Sequence, residues 1–424
     1  MACMTAQAAT KPGRSGATFR ATCLALVTLT ACDGPRSAAD REAMHIVIPD
    51  SAVHIVGTSE SLAAVQDLEV LPDNTVWVQN SVEPFILGFG ADGALRTVYG
   101  RRGGGPEEFE APSGFVVGGI QGDAWIFDRQ RNARIEVSRA GTARLSKPLP
   151  QPAFPPGSVT GGMNLLDDIV RTARLGNEIL LPRRSSQLES DVYGYWLSVW
   201  TADLVALDAA TDSARDIIAL RDVLGDLTSH IDLTDTYLLV PLWYRLWAVC
   251  GDDEIRLYDR IRNELRGFTR DGIELEAIAL PPVRYAEVTR DEFLRATFFV
   301  GVIEAMGEVS RRTDVSAEDS ARIMEGLLSR LQAPPAKMAN LLPRYLDFRC
   351  SDDGTKWLQP FAIEHGVLEG GPVWLRIARN GAAQEVRLPD RFDPYRFTAE
   401  RIWGVQRDPF DIASIAWIPV PASH

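Results

Sequence analysis

Val70-Leu71-Pro72-Asp73-Asn74-Thr75-Val76-Trp77-Val78 is the stretch whose reading decides the fold. Two short apolar runs flank an Asp-Asn turn, and the second run sets a tryptophan between two valines. Asp and Asn suit turns because their side chains bond the local backbone and tolerate positive φ, whereas valine and tryptophan suit a pleated surface. The stretch therefore predicts a β-hairpin. The same hairpin is written again at Gly122-Asp123-Ala124-Trp125-Ile126-Phe127 and Leu175-Gly176-Asn177-Glu178-Ile179-Leu180. It recurs at Val249-Cys250-Gly251-Asp252-Asp253-Glu254-Ile255, Cys350-Ser351-Asp352-Asp353-Gly354-Thr355-Lys356-Trp357 and Thr398-Ala399-Glu400-Arg401-Ile402-Trp403.

A second strand-turn-strand segment follows each of the first five hairpins. Its turns are Ala91-Asp92-Gly93, Arg139-Ala140-Gly141, Ala210-Thr211-Asp212, Arg270-Asp271-Gly272 and Arg379-Asn380-Gly381. Two successive hairpins make a four-stranded antiparallel sheet, and repeating that unit predicts the blades of an all-β propeller. Six first hairpins against five second ones predict six blades, the last one incomplete. His45-Ile46-Val47-Ile48 and Val53-His54-Ile55-Val56 supply apolar strand material at the other end of the domain. This segment is expected to complete the last blade and close the ring, which removes an exposed sheet edge. Residues 44–424 are thus read as a six-bladed β-propeller.

One segment breaks the pattern, at 289–335. Thr289-Arg290-Asp291-Glu292 and Ser316-Ala317-Glu318-Asp319 have the form of helix-capping boxes. Phe293, Phe298, Val302, Met306 and Val309 fall on one face at helical spacing; Ile323, Leu327 and Leu331 fall on another. Pro334-Pro335 stops the second run. A helical hairpin inserted between blades four and five is expected.

The N-terminal region reads as an address. Lys11, Arg14 and Arg20 make a basic flank, and residues 21–31 form an apolar run too short to span a bilayer permanently. Leu29-Thr30-Ala31-Cys32 then resembles the bacterial lipobox. That resemblance implies a signal peptide over 1–31, a diacylglycerol and further acyl lipid on Cys32, a small, polar tether over 32–43, and a place in the cell envelope facing the periplasm or the outside. Several acyl chains on one residue suffice for stable anchoring. Asp33 resembles the inner-membrane retention signal of enteric bacteria, and the choice of leaflet stays open.

Further motifs resemble the NHL-type propellers. Gly100-Arg101-Arg102-Gly103-Gly104-Gly105-Pro106-Glu107-Glu108-Phe109 is similar to their inter-blade glycine segment, with Glu107 in place of a glycine. Asp128-Arg129-Gln130-Arg131-Asn132-Ala133-Arg134-Ile135 is similar to their Asp/Asn turn, and Asp259-Arg260-Ile261-Arg262-Asn263 repeats part of it. Ile402-Trp403-Gly404-Val405-Gln406-Arg407-Asp408 resembles the last blade of six-bladed lipoprotein propellers. The resemblance covers most of 65–420, outside the predicted helical insertion. It implies the fold and no particular activity, because propellers host many unrelated functions.

Composition and chemistry narrow the function. At 46% hydrophobic and 24% charged residues the chain is globular. Its net charge is −13, and the basic leader makes the remainder more acidic still, which disfavours nucleic acid as a partner. Only Cys250 and Cys350 lie in the body, so an oxidising compartment would offer one bridge; spacing alone does not place them opposite each other. The 100–109 loop lacks the Lys-Ser/Thr of a phosphate cradle. Asp128 with Asn132 and Asp259 with Asn263 carry the oxygens calcium prefers, yet such side chains also close turns on backbone amides. The five histidines, His45, His54, His230, His365 and His424, do not cluster, and no Gly-x-Ser-x-Gly elbow occurs.

Trp77, Trp125, Trp357 and Trp403 recur at one place in their hairpins and read as blade packing. Tyr193, Tyr195, Trp196, Trp200, Trp243, Tyr244 and Trp247 stand partly outside that register. Aromatic faces with polar edges suit sugars, peptides and protein partners. These observations predict a membrane-anchored binding or scaffold propeller for a protein, peptide or glycan. The alternative is a metal-assisted hydrolase or lyase at the channel mouth. No residue is nominated as catalytic, and a calcium ion at the channel belongs only to that alternative.

Overall fold

The computed structural model describes residues 44–105, 108–110, 112–117, 123–128, 131, 133–138, 143–148, 171–192, 195–208, 211, 213–219, 247–251, 253–259, 262–281, 318, 345–364 and 367–422. They form six blades. Blade one comprises Val65–Val70, Val76–Asn80, Ile86–Phe89 and Leu95–Tyr99; blade two Pro112–Val117, Ala124–Asp128, Ala133–Val137 and Ala143–Pro148. Blade three comprises Ala173–Leu175, Glu178–Val192, Tyr195–Asp208 and Ala214–Ala219; blade four Trp247–Cys250, Glu254–Asp259, Glu264–Thr269 and Glu274–Ala279. Blade five holds Tyr345–Cys350, Lys356–Glu364, Val373–Ile377 and Ala383–Arg387, with Val367–Gly370 paired on its second strand. Blade six holds Phe392–Phe397, Arg401–Arg407 and Ala413–Pro419, and His54–Thr58 adds its fourth strand.

The first strand of each blade neighbours the first strands of the blades before and after it, so six strands ring a central channel. The core is divided in the same way. Six apolar clusters each lie between two successive blades, and the sixth, with Leu68, Val78 and Phe89 of blade one against Trp403, Val405 and Ile415 of blade six, closes the circle. Trp77, Trp357 and Trp403 are buried, and Trp125 nearly so, in the packing role their repeated position predicted.

Closure takes the expected form at one strand and another form at its neighbour. His54–Thr58 pairs antiparallel with Ala413–Pro419, as predicted for the last blade. Met44–Val47 instead pairs parallel with Ala383–Arg387 on the outer edge of blade five. Pro49 and the single 3₁₀ turn Asp50–Ala52 redirect the chain between the two strands, so they serve adjacent blades. The turn glycines fit this assembly closely. Gly93 has φ +75°, and a Cβ there would stand 1.7 Å from Val56 O on the outer strand of blade six; Gly272 meets Ile217 O of blade three at 2.5 Å in the same way. Each glycine thus supplies a left-handed turn and a backbone-to-backbone contact with the preceding blade.

Residues 100–105 and 108–109 lie in the link between blades one and two. Arg101–Arg102 pairs parallel with Glu108–Phe109, and the buried Phe109 ring meets Phe85 and Tyr99 edge-on. Cys250 and Cys350 form a disulfide, with Cα atoms 5.0 Å apart, which settles the pairing that spacing left open. The expected helical hairpin at 289–335 lies outside the described residues, Glu318 alone excepted, which is helical. The signal peptide and tether expected over 1–31 and 32–43 also lie outside them.

Candidate functional site

The channel is lined by strands whose residues alternate between the inter-blade core and the ring axis. In blade one Leu68 is buried in core while Asp67 and Glu69 take the other face; in blade five Phe348 and Cys350 are buried in core while Asp347 and Arg349 take the other. A register shift beside Pro394 brings both Tyr395 and Arg396 of blade six into the same network. Arg171, just before the first strand of blade three, completes it.

Two of these contacts, Arg171 with Asp347 and Arg349 with Asp67, bridge blades that are not neighbours in the ring. Arg171 donates from NH2 to Asp347 Oδ1 at 2.5 Å and from NH1 to the carbonyls of Trp247, at 3.0 Å, and Phe348. Arg349 Nε donates to Asp347 Oδ2 at 2.9 Å, and its NH1 lies 3.8 Å from Asp67 Oδ1. Blades five and one are separated by blade six, so that last contact crosses the channel. Arg396 joins Asp352, at 2.5 Å in the first turn of blade five, to Glu69, 3.8 Å away in blade one. Tyr395 donates to Val65 O at 2.9 Å. Three guanidiniums thus meet four carboxyl groups, in a file that ends at Glu69, Arg396 and Asp352 at the mouth carrying the first-to-second-strand turns.

Two carboxyls in this file differ sharply. Asp347 accepts from Arg171, from Arg349 and, at 2.7 Å, from the Phe348 amide. Burial alone would raise it, but the two guanidiniums outweigh burial and hold it at about 2. Glu69 has no donor within hydrogen-bond distance among the described residues; its Arg396 partner stands beyond it at 3.8 Å. Burial, reinforced by the charge of Asp67 and opposed by Arg396, pushes Glu69 up to about 7. Asp67 takes one amide bond, from Leu68 at 2.9 Å, and burial raises it as well, against the pull of Arg349. Arg171 is brought down to about 10 by burial and by Arg349. The Glu69 side chain is 23% exposed, so it is open to the channel.

The residues singled out in the sequence are distributed as follows. Trp247 is 1% exposed and packs between blades three and four against Leu257 and Leu175; as a core side chain it has no face for a ligand. Tyr195, Trp196 and Trp200 lie on the long third strand of blade three, paired with Val192, Asp191 and Gln187. This hairpin leaves its outer neighbour after Asp203 and runs on over roughly 20 Å, taking the strand rise per residue, toward the opposite end of the ring from Glu69. Tyr193, Trp243, Tyr244 and Cys32 lie outside the described residues. Asp128 closes its turn by accepting from Arg131 and Glu110 amides, and Asp259 by accepting from the Arg262 amide, while Asn263 donates to Leu280 O. These are backbone roles; Asn132 lies outside the described residues. Among the described residues no group of three or more His, Cys, Asp or Glu side chains is arranged to hold a metal.

Sequence reasoning missed the channel network. Its signal was present in Asp67-Leu68-Glu69 and Asp347-Phe348-Arg349, where charges alternate with core residues inside first strands. That pattern is common on solvent-facing strands, and only the ring turns it inward.

No protein-family model matches the chain, and no curated protein matches it. Among solved structures the chain is similar to a virginiamycin B lyase from Staphylococcus aureus, with 11% identity over 87% of this chain and 99% of that one and a TM-score of 0.42. It is similar to a protein from Bacteroides fragilis described as exported, with 9% identity over 90% and 99% and a TM-score of 0.45. A third is regucalcin, a calcium-binding protein from Agrobacterium tumefaciens, with 10% identity over 90% and 97% and a TM-score of 0.42. At these identities the likeness is one of fold.

Proposed function

We propose that the chain is a lipid-anchored protein of the cell envelope whose propeller is a binding or scaffold module for a protein, peptide or glycan. The observation that carries this reading is the charged channel network, in which the part-exposed Glu69 carboxyl stands 3.8 Å from Arg396. A partly buried carboxyl that is disfavoured as a charge is a ready acceptor for a ligand N–H or O–H. The neighbouring guanidiniums of Arg349 and Arg396 give the ligand's acceptors a place. The blade-three hairpin with Tyr195, Trp196 and Trp200, together with Tyr193, Trp243 and Tyr244, is the proposed aromatic contact at the other end, which suits a scaffold with two working faces. Anchoring comes from lipid on Cys32, and residues 32–43 tether the ring.

The Cys32→Ser chain provides the test. It is expected in the soluble fraction, whereas the parent chain stays with membranes at high salt; a Cys32→Ser chain that remains membrane-bound refutes the anchor. Thermal unfolding of the soluble chain is then followed with peptides, glycans, calcium and a chelator. A ligand at roughly 100 times its dissociation constant adds about 2.7 kcal/mol and a visible shift. A glycan or peptide shift that Glu69→Gln removes supports the binding module. A rise with calcium and a fall with chelator supports the metal-assisted hydrolase or lyase in its place.

A further inference from the structure

The junctions of the ring are held in different ways. Between blades two and three, Thr172 Oγ1 donates to Phe115 O at 2.9 Å and accepts from the Phe115 amide at 3.1 Å. Between three and four, Arg270 of blade four donates to Glu178 of blade three at 2.7 Å, and Arg215 of blade three donates to the Arg270 carbonyl at 3.0 Å. Between five and six, Arg396 pairs with Asp352, and between six and one it faces Glu69 while Tyr395 bonds Val65 O. Between four and five the crosslink is covalent. Cys250 and Cys350 are the last residues of two neighbouring channel strands, Trp247–Cys250 and Tyr345–Cys350. Both are buried, at 3% and 8%, in the cluster that joins these blades.

This junction also has the longest connection in the ring. From the last strand of blade four to the first strand of blade five the chain runs through residues 280–344; the other blades are joined by far shorter links. A bridge across a sequence separation of 100 closes a long loop, where a crosslink restricts the unfolded chain most.

We propose that Cys250–Cys350 is a structural staple that holds blades four and five together around the channel and can be reduced only when their junction opens. Its reduction by a dithiol consumes two thiols of the reductant. One thiolate attacks a cystine sulfur and forms a mixed disulfide; the second displaces the remaining cysteine, leaving Cys250 and Cys350 as thiols and the reductant as a cyclic disulfide. Because both sulfurs are buried, attack requires prior opening of the junction, so the native chain resists reduction. The staple requires an oxidising compartment for maturation. It stands independently of the binding reading, since a ring with an intact staple could bind nothing and a reduced ring could still bind.

The purified Cys32→Ser chain is alkylated in denaturant without reductant and peptide-mapped. One linked peptide holding Cys250 and Cys350 is expected; alkylation of both cysteines overturns the proposal. The chain is then reduced with dithiothreitol in mild denaturant, alkylated and refolded. A fall in Tm of about 5 °C or more is expected, with faster amide exchange confined to the Trp247–Cys250 and Tyr345–Cys350 strands. Unchanged Tm and exchange after verified reduction overturn it. The Cys250→Ser/Cys350→Ser chain is expected to match the reduced chain and to ignore dithiothreitol. If that variant does not fold, the oxidised and reduced parent chains decide the matter between them.

Discussion

Asp347 and Glu69 belong to one channel and one charge network, yet they occupy opposite conditions. Asp347, on blade five, is saturated by two guanidiniums and an amide. Glu69, on blade one, has its nearest guanidinium, that of Arg396, at 3.8 Å and takes no hydrogen bond among the described residues. The first carboxyl is part of the scaffold, because removing it strands charges that blades three and five have arranged around it. The second is part-exposed to the channel and able to accept from a ligand. The difference teaches that in an enclosed polar network hydrogen-bond saturation separates structural groups from available ones, whereas charge alone does not.

Substitutions at the two carboxyls separate these roles. Asp347→Ala leaves Arg171 without its carboxylate partner in a site where its side chain is 8% exposed. It is expected to cost about 3–5 kcal/mol in urea unfolding at pH 7; a loss under 1 kcal/mol would place Asp347 outside the scaffold. Glu69→Gln is expected to act in the opposite direction at pH 8, raising stability by about 1 kcal/mol or more, because it removes a charge that its surroundings disfavour.

The pH dependence follows with opposite signs. The folded chain holds the Glu69 proton more tightly than the unfolded chain, so stability falls as pH rises from about 4.5 to about 7. That slope should vanish in Glu69→Gln. Asp347 is depressed, so its contribution is present above 3.8 and is lost as pH falls through about 2. Urea unfolding midpoints at half-unit pH steps would show both limbs; a Glu69→Gln profile parallel to the parent's would remove Glu69 from the account. The smallest effect belongs to Asp352→Ala. Asp352 is 54% exposed in its pair with Arg396, and its loss is expected to cost no more than about 1 kcal/mol, falling further in high salt.

Much of the fold was legible because each blade repeats a local code. Trp77, Trp125, Trp357 and Trp403 mark equivalent strands, and Asp-Gly or Asn-Gly pairs mark turns whose left-handed backbone the structure shows at Gly93, Gly272 and Gly381. Closure by His54–Thr58 was legible from counting hairpins. The parallel docking of Met44–Val47 on blade five was not, since an edge strand's partner depends on where Pro49 turns the chain. The site was less legible than the fold. Aromatic residues attract attention in a sequence, yet Trp247 proved to be core. Asp67, Glu69, Arg349 and Arg396 look like ordinary solvent-facing charges, and they meet only because distant first strands converge on one axis. Long-range convergence of this kind leaves no local pattern in the chain.

The most direct test is a carbon-13 NMR titration of the glutamate side-chain carboxyls in the Cys32→Ser chain, repeated with Glu69→Gln. One resonance is expected to titrate near 7 and to disappear with the substitution, because Glu69 lies in the channel with Arg396 no nearer than 3.8 Å. Ordinary titration of every glutamate below about 5, with no resonance lost between 6 and 8 on substitution, would mean that Glu69 is solvated or filled, and would contradict its place as the ligand's acceptor.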